Sequence, residues 1–275
     1  MIILSILFSS LSLFAAIFGE DNRTDTWKAS GFHQELARSV PALILKKNIQ
    51  QLSEDQFLLK GRPLLDLNFC SDENFAHEKI VANCSASLIA PDKVLTAAHC
   101  FVGNDYACST YNVVFDYQAN GASEVTLNQN QIYQCKKMLF YQYDDFFGVD
   151  LAVIQLDRPV LDRAPIKIST QLEVGQKLTM IGYPLGITQK VVDDGVVESI
   201  NKGDNSFRHN LDTFSVNSGG PIFNQQGQQV GVLVRGTGLN YVSDESRACY
   251  RWYKGNQSDF AEANDLKVIP ARFFE

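Results

Sequence analysis

A histidine, an aspartate and a serine follow one another along this chain, each at the edge of a short apolar run. His99 closes residues 94–100 (VLTAAHC), Asp150 opens residues 150–156 (DLAVIQL), and Ser218 lies in residues 217–221 (NSGGP). A neutral imidazole is a suitable general base for a hydroxyl near pH 7, and a carboxylate can orient that imidazole. The two glycines after Ser218 allow a tight turn that exposes Oγ and directs backbone N–H groups at a developing oxyanion. These residue types predict acyl transfer.

Each of the three motifs also has a structural interpretation when it is taken alone. A His-Cys pair is more often structural, an aspartate at a strand start is common, and Gly-Gly-Pro is an ordinary turn. The combination, in this order and beside strands, is much more specific than its parts. A lipase or esterase is disfavoured, because its nucleophile elbow is Gly-x-Ser-x-Gly and its order is Ser, Asp, His.

Short β-strands are the elements expected to position these residues. From about residue 64, apolar runs alternate with turn residues at the spacing of a sandwich or barrel. The expected strands include 87–90, 113–115, 151–156, 178–181, 191–192, 196–197 and 229–234. Residues 157–165 contain two prolines and charges of both signs, and we expect them to cross between two halves.

The motifs together resemble the chymotrypsin-like (trypsin-like) serine proteases, nearest to their bacterial-type branches. The similar region spans residues 80–236 and also includes 84–89 (CSASLI), 182–186 (GYPLG) and 231–234 (GVLV). The resemblance implies an all-β fold of two perpendicular six-stranded antiparallel barrels with the active site between them. It implies Ser218 as nucleophile, His99 as general base and Asp150 as the residue that holds the imidazole tautomer. A serine endopeptidase acting through an acyl-enzyme is the implied function, with a peptide or protein substrate, no cofactor and no metal.

The sequence departs from the family beside the serine. The N–H groups of Val216 and Ser218 would form the oxyanion hole, but the family has glycine at the position of Val216. A β-branched residue resists positive φ, and loss of one oxyanion donor lowers the rate by about 100- to 1,000-fold. The alternative function is therefore a weak or inactive homologue that acts as a binding module. Asn217 replaces the aspartate that pairs with a new N-terminus in the digestive animal enzymes, which disfavours that activation route.

Four residues are candidates for substrate binding. Asp212 lies six residues before the serine, where an acid in trypsin-like members selects Arg or Lys; the alternative is a solvated loop residue. Thr213 matches a threonine of the glutamyl-specific members, but their partner histidine would fall at Leu233, which disfavours glutamate specificity. Val234 and Gly236 are expected on the strand that pairs with the substrate backbone.

The composition and the first residues predict an exported protein. The 275 residues have a formal net charge of -7, which argues against a nucleic-acid partner. The apolar run 2–18 fits a secretory signal peptide; no Lys or Arg precedes it, so an uncleaved N-terminal anchor is the alternative. We expect a signal peptide at 1–19, a propeptide or N-terminal extension at 20–62, and a protease domain at 63–275 with barrels at about 63–160 and 161–275. The expected product is a secreted or periplasmic monomer without stable membrane insertion.

Six cysteines follow the signal region. An even number of cysteines in an exported chain predicts three disulfides, with buried free thiols or a zinc site as alternatives. The chain has no CxxC pair, which disfavours a zinc site. The family resemblance implies the pair Cys84–Cys100, which closes the histidine loop. Three connectivities remain open for the other four cysteines, and we favour Cys108–Cys135 with Cys70–Cys249.

Overall fold

β-Strands supply most of the regular structure in the computed structural model, which describes residues 15–102, 107–121, 124–144, 148–236, 239–256 and 259–274. The strands are β1 (Ala15–Ala16), β2 (Thr24–Asp25), β3 (Ala42–Leu45), β4 (Ile49–Gln51), β5 (Gln56–Leu59), β6 (Arg62–Pro63), β7 (Lys79–Ile80), β8 (Cys84–Ser85), β9 (Ser87–Ala90), β10 (Lys93–Thr96), β11 (Tyr111–Val114), β12 (Thr126–Asn128), β13 (Ile132–Tyr143), β14 (Asp150–Leu156), β15 (Lys177–Gly182), β16 (Lys190–Asn201), β17 (Ser206–His209), β18 (Thr213–Phe214), β19 (Pro221–Phe223), β20 (Gln229–Gly236), β21 (Tyr241–Asp244), β22 (Cys249–Trp252) and β23 (Ala261–Asp265). The α-helices are α1 (Gly31–Ala37) and α2 (Ala107–Thr110), and 3-10 turns lie at Thr26–Lys28, Lys46–Asn48, Leu64–Leu67, Ala98–Phe101, Gln129–Gln131, Pro184–Gly186 and Ala271–Phe273.

The first barrel is an antiparallel sheet in the order β8-β3-β11-β13-β14-β10-β9. Its two ends, β8 and β9, are consecutive parts of one stretch of chain. β8 pairs with β3 and β9 pairs with β10, so this stretch nearly closes the sheet on itself. Alternating strand residues such as Leu88, Val113 and Ile154 are fully buried inside it.

The second barrel contains β15-β19-β20-β23-β17-β16, and pairing of β15 with β16 closes it. β2 adds to the outer side of β16. The all-β double barrel expected from the sequence is confirmed. The count of six strands holds for the second barrel, whereas the first has seven because the stretch 84–90 is interrupted at Ala86, whose N–H donates to Pro41.

Two stretches differ from the strand predictions. Residues 191–192 and 196–197 belong to one long strand, β16, whose register with β15 shifts at a bulge. The sequence interpretation placed no strand before residue 64, but β3 lies between β8 and β11 inside the first sheet. Ala42, Leu43 and Ile44 of β3 are 0% exposed, so the segment assigned to an extension contributes to the barrel core.

Residues 15–28, called the N-terminal segment below, pack onto the second barrel. β1 pairs with β18, and β2 pairs with β16. The Arg23 guanidinium carbon lies 4.3 Å from the ring centroid of Phe214 and 4.1 Å from that of Trp252, while Arg23 Nε pairs with Asp21 at 2.7 Å. Deletion of this segment would expose the aromatic rings and remove the cation that packs on them.

The structure contains three disulfides, and they are the three pairs that the sequence interpretation favoured: Cys70–Cys249, Cys84–Cys100 and Cys108–Cys135. Such a set is typical of extracellular or periplasmic proteins, since cytosolic thiols are kept reduced. Among the described residues, no helix has both the length and the apolar character needed to cross a membrane.

Candidate active site

His99 and Asp150 are held together by the pairing of two strands in the first barrel. His99 lies in the short turn that follows β10, and Asp150 is the first residue of β14, which pairs directly with β10. One carboxylate oxygen of Asp150 accepts the backbone N–H of His99 at 2.8 Å, and the other lies 2.5 Å from Nδ1. A carboxylate beside Nδ1 favours the tautomer with its proton there, which leaves Nε2 as the acceptor. The imidazole is partly exposed, with 26% of its side-chain surface accessible, so it can meet a ligand in the cleft.

Asn264 links this pair to the second barrel. Its Oδ1 accepts the backbone N–H of Asp150 at 2.8 Å, and its Nδ2 donates to the carbonyl of Gly148 at 2.6 Å. Asn264 is in β23 and is 0% exposed. Because both polar ends of a buried amide are satisfied across the barrel interface, Asn264 fixes the start of β14 relative to the second barrel. The sequence interpretation did not single out this residue.

The turn that carries Ser218 connects β18 to β19 and packs against the first barrel. The carbonyl of Ser218 accepts the N–H of Ser85 at 2.8 Å. Gly219 has φ +84, and a Cβ on it would lie 2.1 Å from both the Ser85 carbonyl and Thr96 Oγ1. Glycine is therefore required here by both backbone conformation and space. The contact with Thr96 brings the backbone beside Ser218 to the base of the turn that carries His99.

Val216 adopts φ +74, the left-handed conformation that the sequence expectation regarded as unfavourable for a β-branched residue. Its carbonyl accepts Ser85 Oγ at 3.3 Å, and its side chain packs on a cluster that includes Val81 and Tyr183. Tertiary contacts thus impose a conformation that glycine adopts freely. In the described part of the chain, the N–H groups of Val216 and Ser218 have no hydrogen-bond partner, so both are available to a ligand.

One asparagine lies within the same turn, and a second contacts it from outside. Asn217 is 0% exposed, and neither its Oδ1 nor its Nδ2 has a partner among the described residues. Asn240, in the loop before β21, accepts the N–H of Ser215 at 2.9 Å and donates to Ser215 Oγ at 2.9 Å. The Asn240 contacts hold the turn from the side of the second barrel, and this residue too was missed by sequence reasoning.

Asp212 is almost completely buried, with 1% of its surface exposed. Oδ1 accepts the N–H of Phe18 at 2.7 Å, and Oδ2 accepts the N–H of Asn22 at 3.2 Å. Burial raises the pKa of this carboxyl to about 6, although the two amide hydrogen bonds and Arg23 oppose the shift. Thr213, the next candidate along the chain, is 4% exposed and pairs with Ala16 of the N-terminal segment.

The end of β20 provides a free strand edge. The side chain of Val234 is buried. On one side of the strand, Arg235 pairs with Glu262 of β23 and Gly236 pairs with Ala261. On the other side, the pairing with β19 ends at Val232. No strand of the described ranges pairs with the outer edge from 234 to 236, which is the geometry needed to add an extended peptide as a further strand.

His99 also lies close to Cys84 and Cys100, with ligand atoms within 4.8 Å of one another. Zinc would require thiolates from these cysteines, but their sulfurs are bonded to each other. This group of residues does not fit a zinc site.

Comparison of the sequence and the fold with known proteins identifies a family and two similar structures. Residues 84–232 match the trypsin-like peptidase domain family. No curated protein matches the sequence significantly. A solved structure of a Glu endopeptidase in complex with MPD shares 19% identity at a TM-score of 0.53, covering 94% of this chain and 97% of that chain. The Vibrio cholerae VesB protease shares 16% identity at a TM-score of 0.51, covering 89% of this chain and 64% of that chain. Both structures have the same fold as this chain.

Proposed function

The chain belongs to the trypsin-like peptidase family, and on that premise we propose that it is a secreted serine endopeptidase with Ser218 as nucleophile, His99 as general base and Asp150 as the orienting carboxylate. The observation that carries the proposal is the double contact of Asp150 with His99, at Nδ1 and at the backbone N–H. This arrangement supports an imidazole whose Nε2 is ready to accept a proton.

The reaction is acyl transfer from peptide to serine and then to water. Ser218 Oγ attacks the scissile carbonyl carbon while His99 Nε2 accepts the hydroxyl proton. The tetrahedral intermediate collapses, His99 donates that proton to the leaving amine, and the acyl-enzyme remains. A water molecule, deprotonated by His99, attacks the ester carbonyl. The second tetrahedral intermediate then collapses, His99 returns the proton to Ser218 Oγ, and the carboxylic acid product leaves.

The N–H groups of Val216 and Ser218 stabilise the negative oxygen of both tetrahedral intermediates. Support comes from the left-handed φ of Val216 and from the absence of partners for both N–H groups among the described residues. Pre-oriented donors of this kind contribute about 3–4 kcal/mol each to transition-state stabilisation. The substrate backbone pairs with the free edge of β20 from Val234 to Gly236.

Residues 20–62 stay with the mature enzyme in this proposal and form an N-terminal extension of the protease domain. Support comes from β3, which pairs on both sides within the first barrel. Removal of a central strand would expose its buried residues and leave two rows of backbone groups unpaired. Cleavage of the signal peptide at Ala15 or Ala16 fits better than cleavage at Gly19, because Ile17 is 2% exposed.

Labelling with a fluorophosphonate tests the nucleophile directly. We expect the wild type and a surface-serine control, Ser246→Ala, to be labelled, and Ser218→Ala not to be labelled. Asp150→Asn should lower the labelling rate by about 10⁴-fold, because the amide can stabilise the wrong imidazole tautomer. If folded wild-type protein is not labelled, the proposal that it is an active enzyme is wrong.

The second candidate function is a catalytically inactive homologue that binds peptides in the same cleft. The strained backbone of Val216 favours it, because relaxation of this residue to negative φ would turn one oxyanion donor away. An unlabelled wild type that still binds peptide, with binding reduced by substitutions on the β20 edge, would support this candidate.

A further inference from the structure

The strongest unexplained feature near the proposed site is the carboxylate of Asp212. Its position in the sequence matches an acid that selects Arg or Lys in trypsin-like members. In the structure, however, its two oxygens accept the N–H groups of Phe18 and Asn22. Asn22 makes a further contact in the same region, where Nδ2 donates to the carbonyl of Asp193 at 2.8 Å.

A carboxylate that selects a cationic side chain must present an oxygen to the substrate pocket. Asp212 is 1% exposed, and each of its oxygens already serves a main-chain donor. Because the carboxylate is almost completely buried with these amides against it, a guanidinium or ammonium group could reach it only if the segment that carries them moved, which would leave partly buried N–H groups unpaired. The nearby Arg23 does not neutralise it by direct contact, since its Nε and one terminal nitrogen pair with Asp21.

The N-terminal segment held by Asp212 lies against β18, the strand that leads into the turn carrying Ser218. Ala15 pairs with Phe214 and Ala16 pairs with Thr213, so β1 covers the edge of β18. The Phe214 ring packs against Trp252 with centroids 4.7 Å apart, and Arg23 of the same segment lies over both rings. A carboxylate with two amides and a cation on two rings therefore hold residues 18–23 at one place, independently of β1.

We propose that Asp212 is a positioning residue: it fastens the N-terminal segment against β18, which leads to the Ser218 turn, and it does not contact the side chain of the substrate residue before the scissile bond. This inference rests on the proposed peptidase function. Its consequence for substrate class is that Arg and Lys at that position, P1, are not selected by Asp212.

Hydrogen exchange in an inactive Ser218→Ala background measures the positioning role without any catalysis. Asp212→Asn offers one acceptor oxygen where the carboxylate offers two, so one amide loses its partner. We expect the Phe18 or Asn22 amide, or both, to exchange about 10- to 100-fold faster than in the parent protein. The matched control is Asp194→Asn, an exposed aspartate of β16, which should leave both amides unchanged.

A peptide library that varies only P1 then separates positioning from selection in the active background. Positioning predicts that Asp212→Asn lowers kcat/KM by the same factor, within about threefold, for basic, acidic and apolar P1 residues, mainly through kcat. Selection predicts a loss of about 100-fold or more confined to Arg and Lys. A confined loss, or unchanged protection of both amides, would overturn the proposal.

Phe18→Pro provides a second variant should Asp212→Asn fail to fold. Proline removes the amide donor to Oδ1 and leaves the carboxylate intact. If Asp212 fastens the segment, this variant should also expose the Asn22 amide and lower kcat/KM uniformly across P1 residues. Retained protection at Asn22, or unchanged kcat/KM across the library, would overturn the proposal. If the wild type has no peptidase activity, the exchange measurement decides the inference while the proposed function fails separately.

Discussion

Replacement of Val216 by glycine and by alanine measures how strongly the turn beside Ser218 imposes its backbone conformation. Val216 has φ +74, and a left-handed conformation costs an L-residue about 1–2 kcal/mol. Glycine removes this cost. Against this gain stand about 0.5–1 kcal/mol for glycine's backbone freedom in the unfolded chain and about 1 kcal/mol for a half-buried valine side chain.

The expected free energy of unfolding therefore changes by about zero for Val216→Gly. Val216→Ala loses the same packing and keeps most of the conformational cost, so it should destabilise by about 1 kcal/mol. Glycine should thus be more stable than alanine at this position. The matched control is Val196, a half-buried strand residue that is not among the positive-φ residues. There, glycine should be less stable than alanine by about 0.5–1 kcal/mol.

Urea and thermal unfolding in the Ser218→Ala background, which avoids self-digestion, measure both pairs of variants. A difference of 1 kcal/mol corresponds to about 2–4 °C in Tm for a domain of this size. Alanine more stable than glycine at position 216, as at position 196, would refute the reasoning.

Activity gives a second readout of the same substitution. Since the turn already has the conformation that glycine would adopt, Val216→Gly in the otherwise wild-type enzyme should change kcat by less than about threefold. A gain of more than about tenfold would mean that Val216 turns its N–H away from the cleft in solution.

Three further outcomes follow from the site and the segment that supports it. Asn264→Ala leaves the buried N–H of Asp150 unpaired and leaves Arg235 as the remaining side-chain donor to the carbonyl of Gly148. It should therefore destabilise by about 1–3 kcal/mol and slow fluorophosphonate labelling; unchanged Tm would contradict the bridging role. For Asp212, burial raises the pKa to about 6, so the folded state binds a proton more tightly than the unfolded state. Stability contributed by its protonated form is present below about pH 4 and is lost as the pH rises to about 6, a change of up to about 3 kcal/mol that Asp212→Asn should abolish in urea titrations. Parallel pH dependences for the two proteins would contradict this. N-terminal sequencing of the exported protein should find Ala16 or Ile17 first, because Ile17 is buried; a start at Glu20 would show that the contacts of Ile17 and Phe18 are dispensable.

The parts of the site that lie within local motifs could be predicted from the sequence. His99 beside Cys100 and Asp150 at a strand start are patterns of a few residues, and the pairing of β10 with β14 converts them into a contact. Asn264 could not be found in this way. It lies 114 residues from Asp150, and a single asparagine in a short strand has no pattern that distinguishes it from a surface residue.

The N-terminal segment shows a different limit of sequence reasoning. Residues 15–18 continue an apolar run that fits a signal peptide, and composition alone does not distinguish a leader from a strand that packs on a barrel. The partner of β1 is β18, almost 200 residues later, so local periodicity contains no trace of the pairing. The same long-range contact explains why Asp212 could be read as either a pocket residue or a solvated one, whereas it is buried against backbone amides.

Val216 illustrates how tertiary structure overrides a local preference. The sequence correctly indicates that a β-branched residue resists positive φ. The contacts with Ser85 and with the cluster around Val81 nevertheless hold it there. Such a conflict between local preference and fold is consistent with the oxyanion role proposed for the Val216 N–H, since backbone strain concentrates at functional sites.

The disulfide between Cys70 and Cys249 affects what happens when the chain between them is cut by proteolysis. A peptidase encounters other copies of itself, and exposed loops are the usual places where a chain is nicked. The bridge spans 179 residues, so a single cut anywhere between its ends releases no fragment. Both pieces stay joined, so their strands remain at a high effective concentration and can re-form their pairs. Loss of the bridge would also give the unfolded chain about 5 kcal/mol of additional freedom. A nicked molecule should therefore run as two bands on a reducing gel and as one on a non-reducing gel. The two pieces separate when the disulfide is reduced, and not when the first peptide bond is cut.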